Sequence, residues 1–153
     1  MSNKNRQQAL QLVKQLCQQR GLKLTTKRSN ILQLMLTEKK GLSTYDIVDS
    51  YLAQYHQKIS PVSVYRMLGF LIVEKLVHKI SSNSQYIVCS HITCSHSHQM
   101  PLFLICNNCN QVEEVDAANE LPAALEKNIV STGFQLQNKA LELHGICQIC
   151  KNI

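Results

Sequence analysis

The chain has 153 residues, 44% of them apolar, with no tryptophan and with 16 Lys+Arg against 10 Asp+Glu, a formal net charge of +6. That apolar share excludes wholesale disorder, and no run approaches the ~18 consecutive apolar residues of a membrane helix. No apolar stretch follows the charged start at residues 1–10, so there is no secretion signal to read, and a cytoplasmic protein is expected.

Charge is unevenly spread. Residues 1–88 hold 13 Lys+Arg and 4 Asp+Glu, net +9, whereas residues 89–153 hold 3 and 6, net −3. A basic half suits a polyanionic partner, although a solvated basic surface accounts for the charge alone equally well. Near residue 89 Lys and Arg give way to Cys and His, which divides the chain into a 1–88 region and an 89–153 region.

In chain order, residues 4–20 read as a helix with Leu10, Val13 and Cys17 on one face, Leu12 and Leu16 beside it, and Gly21 as its stop. A second helix is expected over Thr26–Thr37, with Ile31, Leu32, Met35 and Leu36 inward. Ser43-Thr44-Tyr45-Asp46 has the form of a capping box and opens a third helix that buries Ile47, Val48, Tyr51 and Leu52. Ser60-Pro61 supplies an N-cap with proline at the first helical position, and the fourth helix runs to about Lys75 with Leu68, Leu71 and Ile72 inward. Two short strands follow, Val77–Ile80 and Gln85–Cys89, separated by the turn residues Ser81-Ser82-Asn83-Ser84. Helices followed by a hairpin give a winged helix-turn-helix, with the third and fourth helices as the turn unit and the hairpin as the wing.

The second region reads as a small α+β module. Strands are expected at Pro101–Cys106, Gln111–Val115, Gly133–Gln137 and Ala140–Cys147, a helix at 119–132, and a His-dense loop at Ser90–Met100. The fold class is therefore α+β, a winged helix-turn-helix followed by a small α/β domain.

Seven cysteines in a cytosolic chain point to metal more than to disulfides. Cys106-Asn107-Asn108-Cys109 and Cys147-Gln148-Ile149-Cys150 are two CxxC pairs, and two such turns supply the four thiolates of a tetrahedral zinc site. The alternative, a redox pair, needs one CxxC in a βαβ context. The gap between the pairs exceeds that of a minimal zinc ribbon, so the metal would staple the start of the module to its end. An enzyme is not expected: the chain has no HExxH and no HxE paired with PCxxC.

At these residues the chain resembles the ferric uptake regulator family of metal-sensing repressors, over about residues 8–151. The likeness rests on Leu24-Thr25-Thr26-Lys27-Arg28, Ser43-Thr44-Tyr45-Asp46, Pro61-Val62-Ser63-Val64-Tyr65-Arg66-Met67-Leu68, Cys106–Cys109, and His144-Gly145-Ile146-Cys147 running into Cys150. Val77-His78-Lys79 followed by Tyr86-Ile87-Val88-Cys89 is most similar to the zinc uptake regulator branch. The resemblance implies a homodimer that binds a palindromic operator when zinc is plentiful and represses zinc-uptake genes. A sister regulator of iron, manganese or peroxide, and a constitutive zinc module that binds nucleic acid, are the rival readings.

The same resemblance carries a sensing site onto His78, Cys89, His98 and Glu114, giving two zinc ions per chain. Taken singly, His78 in a hairpin is an ordinary surface residue and Cys89 an ordinary core residue. His96 or Cys94 is an alternative to His98. Glu114 is preferred to Glu113 because it stands five residues past Cys109. His91, Cys94 and His96, with Asp116, Glu142 or His144, leave room for a third, weaker site. For DNA, Arg66 is the base-reading candidate, since bidentate arginine on guanine is the commonest specific major-groove contact. Tyr65 and Ser63 flank it, and Tyr45 resembles a family DNA contact. Lys27 and Arg28 are read as phosphate positioners. The competing readings are a packed core aromatic for Tyr65 and a solvated helix start for Lys27 and Arg28.

Overall fold

In the computed structural model the described residues are 3–38, 40–90, 92, 100–116, 120–137 and 140–152. They divide into two compact units, Met1–Cys94 and Ser95–Ile153.

In the first unit α1 (Asn3–Gln19) buries Ala9, Val13 and Cys17, which recur every fourth residue along one face. Gly21, at φ +68°, ends it: the amides of Gly21 and Leu22 donate to the Gln18 and Cys17 carbonyls, which closes the last turn and turns Leu22 onto the core. Leu12, expected beside the buried stripe, is about half exposed.

α2 (Thr26–Thr37) starts at the Thr25 cap and buries Ile31, Leu32, Leu34 and Met35. α3 (Thr44–Tyr55) carries the full capping box. Asp46 N–H donates to Ser43 Oγ at 3.1 Å and Ser43 N–H to Asp46 Oδ2 at 2.8 Å. The bonds to Ser43, side chain first and then backbone, hold the Asp46 carboxyl below its ordinary range. Leu52 lies on the exposed side of α3, unlike the expectation, because Ile47 and Tyr51 define the buried face.

α4 (Pro61–Val73) begins at Ser60, whose Oγ accepts from Ser63 N–H at 3.2 Å, and buries Val64, Leu68 and Leu71. Helices α1 to α4 pack in sequence, each on the next, and α4 packs on β1. β1 (Val77–Ile80) and β2 (Gln85–Val88) form an antiparallel hairpin with His78 opposite Ile87. Leu42, just before α3, bridges Tyr86 with backbone bonds of 3.0 and 2.9 Å and adds a third ribbon to the wing. A Cβ on the neighbouring Gly41 would sit 2.8 Å from Gln85 Cβ, so this close approach needs glycine.

The second unit holds β3 (Pro101–Cys106), β4 (Val112–Asp116) and β5 (Leu141–Gly145) in the order β4-β3-β5. β4 runs antiparallel to β3, and β5 parallel to it. α5 (Glu120–Val130) lies between β4 and β5 in sequence, and α6 (Gln148–Lys151) is one short turn after Cys147. The α+β class and the winged helix-turn-helix order both hold.

One expected strand does not form. Gly133 takes φ +78°, closing the turn after α5, and residues 134–137 are exposed coil. A strand needs a ladder partner, and this segment pairs with none of β3, β4 and β5. The residues of α6 were read only as the end of the second CxxC pair.

Candidate metal centre and nucleic-acid face

The two CxxC pairs meet because β3 and β5 run parallel and in register. Cys106 ends β3 opposite Gly145 of β5, so the turns that leave both strands emerge side by side. After β3 the chain folds back with Asn110 N–H donating to the Cys106 carbonyl at 3.0 Å and Asn110 at φ +57°. Asn107 N–H donates to the Gly145 carbonyl at 2.9 Å and ties one turn to the other strand. After β5, Cys147 caps α6, which carries Cys150.

Cys106, Cys109, Cys147 and Cys150 consequently place their four sulfurs within 4.8 Å of one another. Cys109 Sγ and Cys147 Sγ are 3.7 Å apart. Four sulfurs at ~2.3 Å from a central zinc would be separated by about 3.8 Å, so the cluster fits a tetrahedral ion. Amide donors aim at it too: Cys147 N–H points at Cys106 Sγ at 3.3 Å. That bond, with those from Cys109 and Asn108, pulls the Cys106 thiol down to about 6. The crowding of sulfurs does the opposite to Cys150, which the thiols of Cys147 and Cys109 push up to about 12. Four adjacent thiols cannot all ionise unless a cation balances them.

Around the cluster, His144 Nδ1 lies 3.1 Å from Asn107 Oδ1 and links the strand before the second pair to the turn of the first. Asn107 was overlooked by sequence reasoning, which treated the residues inside a CxxC as spacers. Its position directly after the first cysteine is the signal that could have drawn attention to it.

In the first unit His78 stands on β1, and Cys89 follows β2 with its N–H donating to the Leu76 carbonyl at 3.0 Å. A ring nitrogen of His78 and the Cys89 sulfur lie within 4.8 Å of each other. Cys89 is buried, as is His78 Nε2. One borderline and one soft donor thus face the same space, a combination that suits zinc. In the second unit Glu114 is half-buried on β4 opposite Phe103, and Glu113 is exposed. Glu142 flanks Phe103 from β5, and Asp116 ends β4. His91, Cys94, His96 and His98 lie outside the described residues.

The expected DNA-reading residues sit on the first unit. Tyr45, at the start of α3, is 67% exposed and Tyr65 is 53% exposed, so neither is a packed core aromatic. Arg66 is exposed beside Tyr65. Ser63 is half-buried, its Oγ 2.9 Å from Ser60 Oγ within the helix cap. At the start of α2, Lys27 is exposed. Arg28 is partly committed inside the chain: it donates to the Lys23 carbonyl at 2.8 Å and stacks its guanidinium 3.6 Å from the Phe70 ring centroid.

The model of the ferric uptake regulator family matches residues 19–144. The chain belongs to the ferric uptake regulator family. The zinc uptake regulation protein of Escherichia coli (strain K12) is 31% identical over 153 residues, which is 100% of this chain and 87% of the relative. Among solved structures, a zinc uptake regulator complexed with zinc and DNA is 28% identical with a TM-score of 0.85, covering 99% of this chain and 97% of that one. Holo XcZur is 33% identical with a TM-score of 0.78, covering 94% and 97%. Within this ferric uptake regulator family chain, the matched span closes inside β5. Cys147 and Cys150 are therefore supported by their own geometry rather than by the family match.

Proposed function

We propose that this chain is a zinc-responsive transcriptional repressor that, as a homodimer, grips palindromic operator duplex when zinc is bound and so controls zinc-uptake genes. The reading is carried by the whole-length likeness to a zinc uptake regulator complexed with zinc and DNA. The chain is a regulator and not an enzyme. It works where bacterial DNA is, in the cytoplasm. No helix among the described residues is long and apolar enough to cross a membrane.

Cys106, Cys109, Cys147 and Cys150 hold a structural zinc in this reading, and His78, Cys89, Glu114 and His98, with His96 as the alternative, hold the regulatory one. Two zinc ions per chain follow, with a third, weaker site around His91, Cys94 and His96 left for the metal count to test. Residues 1–88 read DNA and residues 89–153 bind zinc and pair two chains. Pairing is supported by α5, which buries none of its described residues although Leu121 and Val130 are on its surface. Leu104 and Leu143, adjacent across β3 and β5, also stay exposed beside a cavity of about 320 Å³. Apolar surface left uncovered on a small domain suits a second copy.

The test is a zinc count on the purified chain, followed by titration of a duplex selected from a random pool, with and without a mild chelator at fixed salt. Two zinc ions, one easily withdrawn and required for tight binding, are expected. Binding indifferent to the chelator would leave a constitutive zinc module, and a response to iron or manganese instead would assign a sister regulator.

The roles on the DNA face separate by substitution. Arg66→Ala is expected to cost roughly 1–3 kcal/mol on the selected duplex and to relax sequence preference. Lys27→Ala is expected to weaken selected and random duplex alike and to lower the salt slope. Equal losses on both duplexes for both variants would refute the division.

A further inference from the structure

We propose that Val62 is a base-reading residue, packing its isopropyl group on the 5-methyl of a thymine in the major groove beside the base that Arg66 reads. The inference rests on the reading of this chain as a DNA-binding regulator and adds a residue to it. Val62 occupies the first turn of α4 and is 61% exposed. It shares its face with Tyr65, Arg66 and Gly69, all exposed, at spacings of three, four and seven residues. Val64, Leu68 and Leu71 hold the opposite side in the core.

A single exposed valine is ordinary on a protein surface. Its placement is what carries the argument. In a helix-turn-helix the N-terminal residues of the second helix meet base edges. Valine has no donor or acceptor, so the thymine methyl is the one feature of a major-groove edge that it can read. A β-branched side chain also costs helix propensity relative to alanine, with no packing to offset it in the isolated chain. Ser63, the polar neighbour, is drawn into the cap by Ser60 at 2.9 Å, which leaves Val62 as the outward group of that turn. Basic charge in residues 1–88, net +9, suits a polyanionic partner for this part of the chain.

Geometry limits where the thymine lies. Side chains four residues apart on a helix are separated by about 6 Å. One base step advances about 3.4 Å along a strand. The arginine stem adds about as much again, so the thymine lies within about four base pairs of the guanine that Arg66 contacts.

The zinc-loaded full chain is used to select a duplex from a random pool, and each thymine of that duplex is replaced in turn by deoxyuridine, which removes only the methyl. Wild-type chain is expected to lose about fourfold in affinity at one thymine per half-site, the loss that one buried methyl gives. That thymine lies within about four base pairs of the guanine whose preference disappears in Arg66→Ala. Val62→Ala is expected to bind the thymine duplex about fourfold more weakly and to be indifferent to deoxyuridine at that place, with unchanged helix content by circular dichroism. A Val62→Ala chain as sensitive to deoxyuridine as the wild type, or a flat scan across those base pairs, overturns the assignment. If the wild-type chain selects no duplex at all, the DNA-binding reading itself fails and this inference with it.

Discussion

Replacing Cys106 or Cys147 with serine, or stripping the four-cysteine site with a strong chelator, is expected to unfold the second unit while the first stays folded. The buried apolar set of that unit is Phe103, Ile105, Cys106 and Val112 among the described residues. A core that thin supplies little toward stability in a domain of this size. A structural zinc contributes on the order of 10 kcal/mol of binding free energy that is also folding free energy. An ion held by the four sulfurs would thus be the larger share of what keeps β3, β5 and α6 together. The first unit has its own cluster, from Val13 through Leu76 to Tyr86, and does not draw on the cysteine site. Hydrogen exchange on the full chain reads the result directly. Amides of β3 and β5 should lose protection in Cys106→Ser while those of α2 and α4 keep it, with zinc per chain falling by one. Protected β3 and β5 amides in a zinc-stripped chain would show that the sheet stands without the metal. Acidification should act in the same direction, because each thiol must shed its proton to bind and protons compete for the sulfurs as pH falls.

His78→Ala is expected to separate sensing from folding. The variant should keep the structural zinc and its helix content, lose the second zinc, and bind the selected duplex no better with added zinc than the wild type does in mild chelator. Coupling between a metal and a distant binding surface is typically worth about 1–3 kcal/mol, so the loss in affinity should reach roughly 5- to 150-fold. Cys89→Ser should act likewise, with an added stability cost because Cys89 is 5% exposed within the core cluster. His78 is only half-buried, which makes its truncation the cleaner experiment. Retention of two zinc ions, or an undiminished response to zinc, would remove His78 from the sensing site.

The four helices of the first unit and the ends of its hairpin were legible in the residues because the signals for them are local. Thr25, Ser43 and Ser60 are side-chain caps, Pro61 sits where its missing N–H costs nothing, and Gly21 supplies a left-handed stop; each acts within three or four residues. The cysteine spacing was equally plain, since the reach of a CxxC turn is a local property. The chain's order also implied that the two pairs meet, but not by what route. Only the fold shows β5 parallel to β3 carrying Cys147 to Cys106, and only the fold lays Leu42 beside Tyr86 and Arg28 over Phe70. The expected strand at 133–137 failed for the same cause: its alternating residues favour extension, but extension becomes a strand only with a ladder partner, and the segment pairs with none of β3, β4 and β5. Composition and spacing set which chemistry the chain carries, whereas long-range hydrogen-bond partnering sets where that chemistry is assembled, because pairing across dozens of residues depends on competition among all strands at once rather than on any one of them.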